Sequence, residues 1–182
     1  MSDINHIQQV WQEADCLYSD QQVQQALDEI GNKMTEVLQN TNPLLLCVMT
    51  GGIIPTGHII TRLQFPLELD YIHATRYQGE TSGGKLEWLV EPRIDLQGRV
   101  VVIVDDILDE GITLDALIQY CQAHGAERVY SVVLIEKKRH RSKEVHADFV
   151  ALTTEDRYLF GYGMDYKGYL RNAAGIYAVK GM

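Results

Sequence analysis

Cysteine is scarce. Cys16, Cys47 and Cys121 are the three in 182 residues, and their spacing forms neither a CxxC pair nor a zinc-ligand pattern. An odd, scattered set excludes a disulfide framework and fits thiols packed as small hydrophobes in a reducing, cytoplasmic compartment. Positive charge is scarce as well. Lys and Arg total 16 against 25 Asp and Glu, and the formal net charge of -9 disfavours a protein that coats nucleic acid. Taken alone, that balance also argues against a polyanionic substrate. Residues 1–6 lack the basic and apolar regions of a secretion signal. The longest apolar runs, Leu44 to Met49 and Val100 to Val104, are too short to span a bilayer. Repeats, low-complexity tracts and long linkers are missing too. With 46% apolar and 23% charged residues, what remains is one soluble globular domain with room for a small appended lobe.

The patterning that is present is α/β. Val23, Leu27, Ile30, Met34, Val37 and Leu38 recur at helical spacing, which predicts a helix over Ser19 to Asn40 capped by Ser19 or Asp20. Leu44 to Met49 reads as a buried strand, followed by Thr50-Gly51-Gly52 and a helix from about Ile54 to Leu63 with Pro55 in its first turn. Leu67 to Thr75 and Leu86 to Val90 read as strands around a polar, glycine-containing loop. Val100 to Val104 is five β-branched residues in a row, a strand buried on both faces. A helix with Leu114, Leu117, Ile118 and Cys121 on one face follows, closed by Gly125, and Val129 to Ile135 is a further buried strand. The expectation is a largely parallel sheet flanked by helices. The segments before Leu44 and after Glu155 are expected to form a small lobe over one edge.

Open α/β sheets bind ligands beyond the carboxyl ends of their strands. Here that place is Asp105-Asp106-Ile107-Leu108-Asp109-Glu110-Gly111-Ile112-Thr113, where four carboxylates fall within six residues. Packed together they repel, so a metal ion, sugar hydroxyls or water must stabilise them. Gly111, Thr113 and the helix start together make a phosphate cradle. The plain alternative is an acidic loop with Asp109 or Thr113 as an ordinary helix cap.

The window from Val101 to Leu114 resembles the phosphoribosyl pyrophosphate (PRPP) signature of type I phosphoribosyltransferases. From about Leu44 to Val179 the chain is similar to hypoxanthine-guanine phosphoribosyltransferases, through four further segments in the same order. Met49-Thr50-Gly51-Gly52 matches the family's pyrophosphate loop, which implies a cis peptide at Met49–Thr50 and a role for Thr50 and Gly51. Arg76-Tyr77 matches the start of a closing lid, although Arg76 departs from the usual serine. Glu136-Lys137-Lys138 matches the lysine that reads the purine 6-oxo group. Counting back from Asp148 selects Lys137, with Lys138 next in line, although a basic run to Lys143 is ordinarily a solvated face. Tyr158 to Tyr166, followed by Arg171, matches the segment that stacks on the purine (Tyr158), holds its edge by backbone (Leu159), supports base and metal (Asp165) and contacts pyrophosphate (Arg171).

The resemblance implies a type I phosphoribosyltransferase fold in a single domain over 1–182, with a core at about 38–150 and a hood from about 1–37 plus 151–182. It implies Mg²⁺ held by Asp105, Asp106 and Asp165, and ribose and phosphate contacts from Asp105, Asp106, Asp109, Glu110, Gly111, Ile112 and Thr113. Asp109 is implied as the catalytic base toward the purine, and the protein as a homodimer or homotetramer acting on a purine base and PRPP. Glu110 stands where Ser or Thr is common, and its side chain is expected to point outward. The competing expectations are a xanthine-preferring transferase and a PRPP-sensing, nucleic-acid-binding regulator on the same fold.

Overall fold

The computed structural model describes residues 3–76, 86–139 and 145–182. Its frame is a six-stranded sheet. β2 (Leu44–Val48), β3 (Glu68–Arg76), β5 (Val100–Leu108), β6 (Arg128–Lys138) and β7 (Phe149–Glu155) run parallel, and β4 (Leu86–Val90) closes one edge antiparallel to β3. The order is β4-β3-β2-β5-β6-β7. α2 (Asp20–Leu38) and α3 (Ile53–Ile60) cover one face, and α4 (Ile112–Ala123) covers the other.

Strand alternation explains the unbroken apolar runs. Leu45, Val102, Val104, Val132 and Leu134 pack with Val23, Leu27, Ile30 and Met34 of α2 and Ile59 of α3. Their neighbours Leu44, Leu46, Val101, Ile103 and Val133 pack with Leu114, Leu117 and Cys121 of α4. Successive side chains point to opposite faces, so a strand covered on both sides must be apolar throughout. Ser19 starts α2 with a capping box to Gln22, satisfying two otherwise unpaired N–H groups. Cys47 and Cys121 are buried as expected, and burial pushes the Cys121 thiol up to about 12; Cys16 is exposed.

A second, three-stranded sheet joins the two ends of the chain. β1 (Asp15–Ser19) pairs with β9 (Gly175–Ala178), which pairs with β8 (Leu159–Phe160). α1 (Ile4–Glu13) sets Ile7 against Phe160, Tyr166, Leu170 and Val179 beneath it.

Three boundaries differ from expectation. β5 runs on through Asp105 and Asp106 to Leu108, because β6 offers backbone partners that far: Asp105 pairs with Val133 and Leu108 with Glu136. β6 extends to Lys138, so Lys137 lies within a strand rather than after one. α2 packs against both the large sheet and the three-stranded one, and β7 is the last strand of the large sheet. α3 also stops at Ile60, where the Thr61 hydroxyl donates to the His58 carbonyl.

Candidate active site

All five parallel strands end at one edge of the sheet. The chain turns outward from β2 to β3 and in the other direction from β5 to β6, so the switch point lies between β2 and β5. The loop after β2 and the acidic end of β5 meet there. A Cβ on Gly51 would lie 2.0 Å from Asp106 Oδ2, and one on Gly52 would lie 2.6 Å from the Val104 carbonyl. Gly52 meets backbone and admits only glycine, while a side chain at position 51 would have to displace the Asp106 carboxylate. The Met49–Thr50 peptide is cis. Gly163, at φ +108, presses on the same loop, where a Cβ would lie 2.0 Å from the Gly51 carbonyl oxygen.

Two adjoining cavities open at this edge. The first, of about 320 Å³, is lined by residues 105–111 with Thr113 and Leu114. Gly111, at φ +81, is the N-cap of α4 and supplies no side-chain acceptor, so neither Asp109 nor Thr113 caps the helix. The first N–H groups of α4 are left to a ligand or solvent. Ile112 is not among the lining residues, and its side chain is exposed. Glu110 lines this cavity and is half-buried.

The second cavity, of about 290 Å³, is lined by Asp106, Ile107, Asp109, Lys137, Tyr158, Leu159, Met164 and Asp165. β5, β6 and the hood each contribute, and Asp106 and Asp109 border both cavities. Lys137, only 8% exposed, donates to Asp109 Oδ2 at 3.0 Å and pairs with Asp156 Oδ1 at 3.2 Å. Lys138 points the other way, exposed beside Glu155 at 3.6 Å, so strand alternation selects Lys137 for the cavity. Tyr158 is exposed at the rim, edge-on to Tyr166 at 5.5 Å. Leu159 is buried, and its backbone is tied to Ala178. Arg171 donates to the Gly163 carbonyl at 2.5 Å and pairs with Asp165 at 2.7 Å. Arg76 ends β3, and Tyr77 lies outside the described residues.

The electrostatics divide the acids. Burial, then the charge of Asp106, pushes the Asp105 carboxyl well above its ordinary range. Burial raises Asp106 as well, although a hydrogen bond with Asp105 and the charge of Arg171 pull it back. Asp109 goes the other way. Burial alone would raise it, but hydrogen bonds and charge from Lys137 and Arg139 together hold it below the usual carboxylate range.

Two charged residues here, Arg139 and Asp156, were not anticipated. Arg139 donates to Asp109 Oδ1 at 2.5 Å and reaches Asp156 Oδ2 at 3.6 Å. Strand register carries the signal: β6 pairs Lys137 with Thr154 and Lys138 with Glu155, which brings residue 139 alongside 156. Asp148 serves the frame instead, accepting from the Ser131 N–H and hydroxyl at 2.8 and 3.0 Å.

The phosphoribosyl transferase domain model matches residues 14–167. The chain belongs to this family. It is a pentosyl-transferring enzyme with a type I phosphoribosyltransferase fold. It is 31% identical over 157 residues to the hypoxanthine-guanine-xanthine phosphoribosyltransferase of Tritrichomonas foetus, covering 86% of each chain. It is 30% identical over 165 residues to the hypoxanthine-guanine phosphoribosyltransferase of Bacillus subtilis, covering 90% of this chain and 92% of that one. A hypoxanthine phosphoribosyltransferase from Staphylococcus aureus shares the fold, with a TM-score of 0.88 over 99% of this chain and 96% of that chain at 22% identity.

Proposed function

We propose that the protein converts hypoxanthine and guanine, with PRPP, to the nucleoside monophosphates and pyrophosphate, the reaction of purine salvage. The observation that carries this is the second cavity. A cation from β6, a carboxylate from the β5–α4 loop and an aromatic from the hood converge on one purine-sized space beside a glycine-built anion loop.

Each residue type suits its task. Lys137 donates to a 6-oxo oxygen, which adenine lacks. Tyr158 offers a stacking face and the Leu159 backbone an edge contact. The Leu159 carbonyl accepts from the 2-amino group of guanine but faces an oxygen in xanthine, so xanthine ranks last among the 6-oxo purines. Gly111, Thr113 and the N-terminus of α4 hold the 5′-phosphate, with Glu110 and Ile112 contributing backbone N–H groups. Thr50, Gly51 and Arg171 hold pyrophosphate. Asp105 and Asp106 take the ribose hydroxyls and fix C1 in line. Asp109, held ionised by its two cations, accepts the purine N7 proton as N9 attacks C1.

Two adjacent buried carboxylates with raised proton affinity fit a divalent cation, and Mg²⁺ takes one or two carboxylates plus substrate phosphates. Asp105 and Asp106 are the adjacent pair that would hold it; among the described residues no third carboxylate joins them, and Asp165, paired with Arg171 on the second cavity, would serve a second cation brought with pyrophosphate. When bound, it offsets the charge that builds on the departing pyrophosphate. Arg76 and Tyr77 start the loop that covers the reacting groups. Exposed Ile53, Leu69 and Tyr71 support assembly as a homo-oligomer. Three free cysteines support a cytoplasmic enzyme.

The test is nucleotide formation from PRPP and Mg²⁺ with hypoxanthine, guanine, xanthine or adenine. Turnover of the first two, slow turnover of xanthine and the slowest turnover with adenine is expected. No product from any base overturns the proposal.

A further inference from the structure

Residues 161–164 form a tight turn with an awkward residue in it. The Gly161 N–H donates to the Met164 carbonyl at 3.0 Å, and the Met164 N–H donates back at 3.1 Å. Between them lie Tyr162, at φ +49, and Gly163, at φ +108. Two-residue turns with positive φ at both central positions favour Asn-Gly or Gly-Gly, and a bulky side chain in the left-handed region is strained. Such strain persists only where the surroundings hold it, and it gathers at functional sites.

Tyr162 is held from outside the two cavities. Its hydroxyl donates to Asp20 Oδ1 at the start of α2 and accepts from Gln24 Nε2 at 2.6 Å. Arg62 fixes that amide by donating to Gln24 Oε1 at 2.7 Å, and Asp28 Oδ1 and the His58 carbonyl hold Arg62 in turn, at 2.7 and 2.8 Å. The Tyr162 ring packs on His58 of α3, with ring centres 5.3 Å apart. Burial, then the bond to Asp20, pushes the phenol up to about 12, so it stays a donor through the neutral range. Neither Tyr162 nor these partners line either cavity.

The other side of the turn meets the groups assigned to pyrophosphate, an assignment that rests on the function proposed above. Gly163 leaves no room for a Cβ against the Gly51 carbonyl or Pro55 of α3. Its N–H donates to the Arg171 carbonyl at 3.0 Å, and its own carbonyl accepts from the Arg171 guanidinium at 2.5 Å. We propose that Tyr162 is a positioning residue for the pyrophosphate side of the site: tied to α2 through Asp20 and Gln24, it fixes the Gly163 backbone that seats Gly51 and Arg171 together. Gly51 and Arg171 come from distant segments, and this turn is what they share. Without the tether the turn relaxes, and the guanidinium moves with the Gly163 carbonyl. The base contacts are held elsewhere, Lys137 by β6 and Leu159 by its pairing with Ala178.

The test follows nucleotide formation from hypoxanthine, PRPP and Mg²⁺, and its inhibition by pyrophosphate, in Tyr162→Phe, Asp20→Ala and Asp20→Asn. Tyr162→Phe keeps the ring and loses the hydroxyl. It should raise KM for PRPP and the inhibition constant of pyrophosphate together, by about two- to thirtyfold, the range for a change that reaches a site through packed neighbours. KM for hypoxanthine should not move. Asp20→Ala, at an exposed helix start, should give the same selective loss even if Tyr162→Phe fails to fold. The double variant should be no weaker than either single one, and additive losses would overturn the tether. Asp20→Asn keeps an acceptor oxygen and should recover most of the affinity for PRPP. A merely structural role would lower the active fraction and leave both constants in place. Unchanged constants in Tyr162→Phe and Asp20→Ala, or an equal loss on hypoxanthine, overturn the positioning role, while an active unaltered enzyme leaves the proposed function standing. If the unaltered protein forms no nucleotide, that function fails, and equilibrium binding of pyrophosphate still decides the tether: weaker binding by Tyr162→Phe supports it and unchanged binding overturns it.

Discussion

The two cavities are built by different means. The phosphate-side cavity comes from one unbroken stretch, residues 105–114, in which a strand end, a glycine turn and a helix start follow one another. The base-side cavity takes single residues from β6 and the hood and sets them against that stretch. Local chain geometry shapes the first, and the register of two sheets shapes the second. The lesson is that a handle for an invariant group, phosphate, can be a contiguous motif. A pocket that tells one base from another draws on distant parts of the chain, each of which can vary alone.

Asp109 borders both cavities, so Asp109→Asn carries the largest expected effect. Loss of a general base should cost about 10²–10⁴ in kcat, with PRPP affinity retained. Equilibrium PRPP binding beside steady-state rates checks this, and a normal rate would remove Asp109 from the chemistry. Tyr158→Ala comes next and should touch only the base side. Base–aromatic stacking is worth about 1–3 kcal/mol, so KM for hypoxanthine should rise roughly tenfold or more while KM for PRPP stays put. Equal changes in both would mean that the two cavities are not separable.

Asp105→Asn tests the phosphate side through stability. The folded-state pKa of Asp105 is raised, so its ionised form destabilises the fold above the ordinary carboxylate range. Replacing it should raise Tm at pH 7 in the absence of Mg²⁺ by a few degrees, about 2–4 °C per kcal/mol for a chain of this size. That gain should shrink as pH falls through the raised pKa, where Asp105 itself becomes neutral, while activity is lost at every pH. A lower Tm at pH 7 would contradict the strain assigned to the acidic pair. Lys138→Ala is the smallest change. Its exposed pair with Glu155 is worth at most about 0.5 kcal/mol, and the base KM should not move.

The same division governs what could be read from the residues alone. The window from Val101 to Leu114 identifies its chemistry because its elements are consecutive, and Ser19 and Gln22 announce the start of α2 for the same reason. The hood is opaque at that level. Cys16 pairs with Tyr177 and Leu159 with Ala178, in strands of five residues or fewer that carry no signature of their own. The basic run that begins at the end of β6 is a solvated face at Lys138 but not at Lys137, and Arg139 is half-buried against two carboxylates. Alternation along β6 and its register with β7 make that distinction, and both depend on a sheet pairing that composition does not encode.

The central claim is that the base-side cavity reads the purine through Lys137 and that the phosphate side is indifferent to the base. The most direct measurement is the ratio of kcat/KM for hypoxanthine to that for adenine in the unaltered enzyme and in Lys137→Gln, with KM for PRPP recorded in both. A charged hydrogen bond is worth about 1.5–3 kcal/mol, so the ratio should fall by roughly 10- to 100-fold in the variant, with KM for PRPP unchanged. A ratio that survives the substitution, or a loss that falls on PRPP instead, would contradict it.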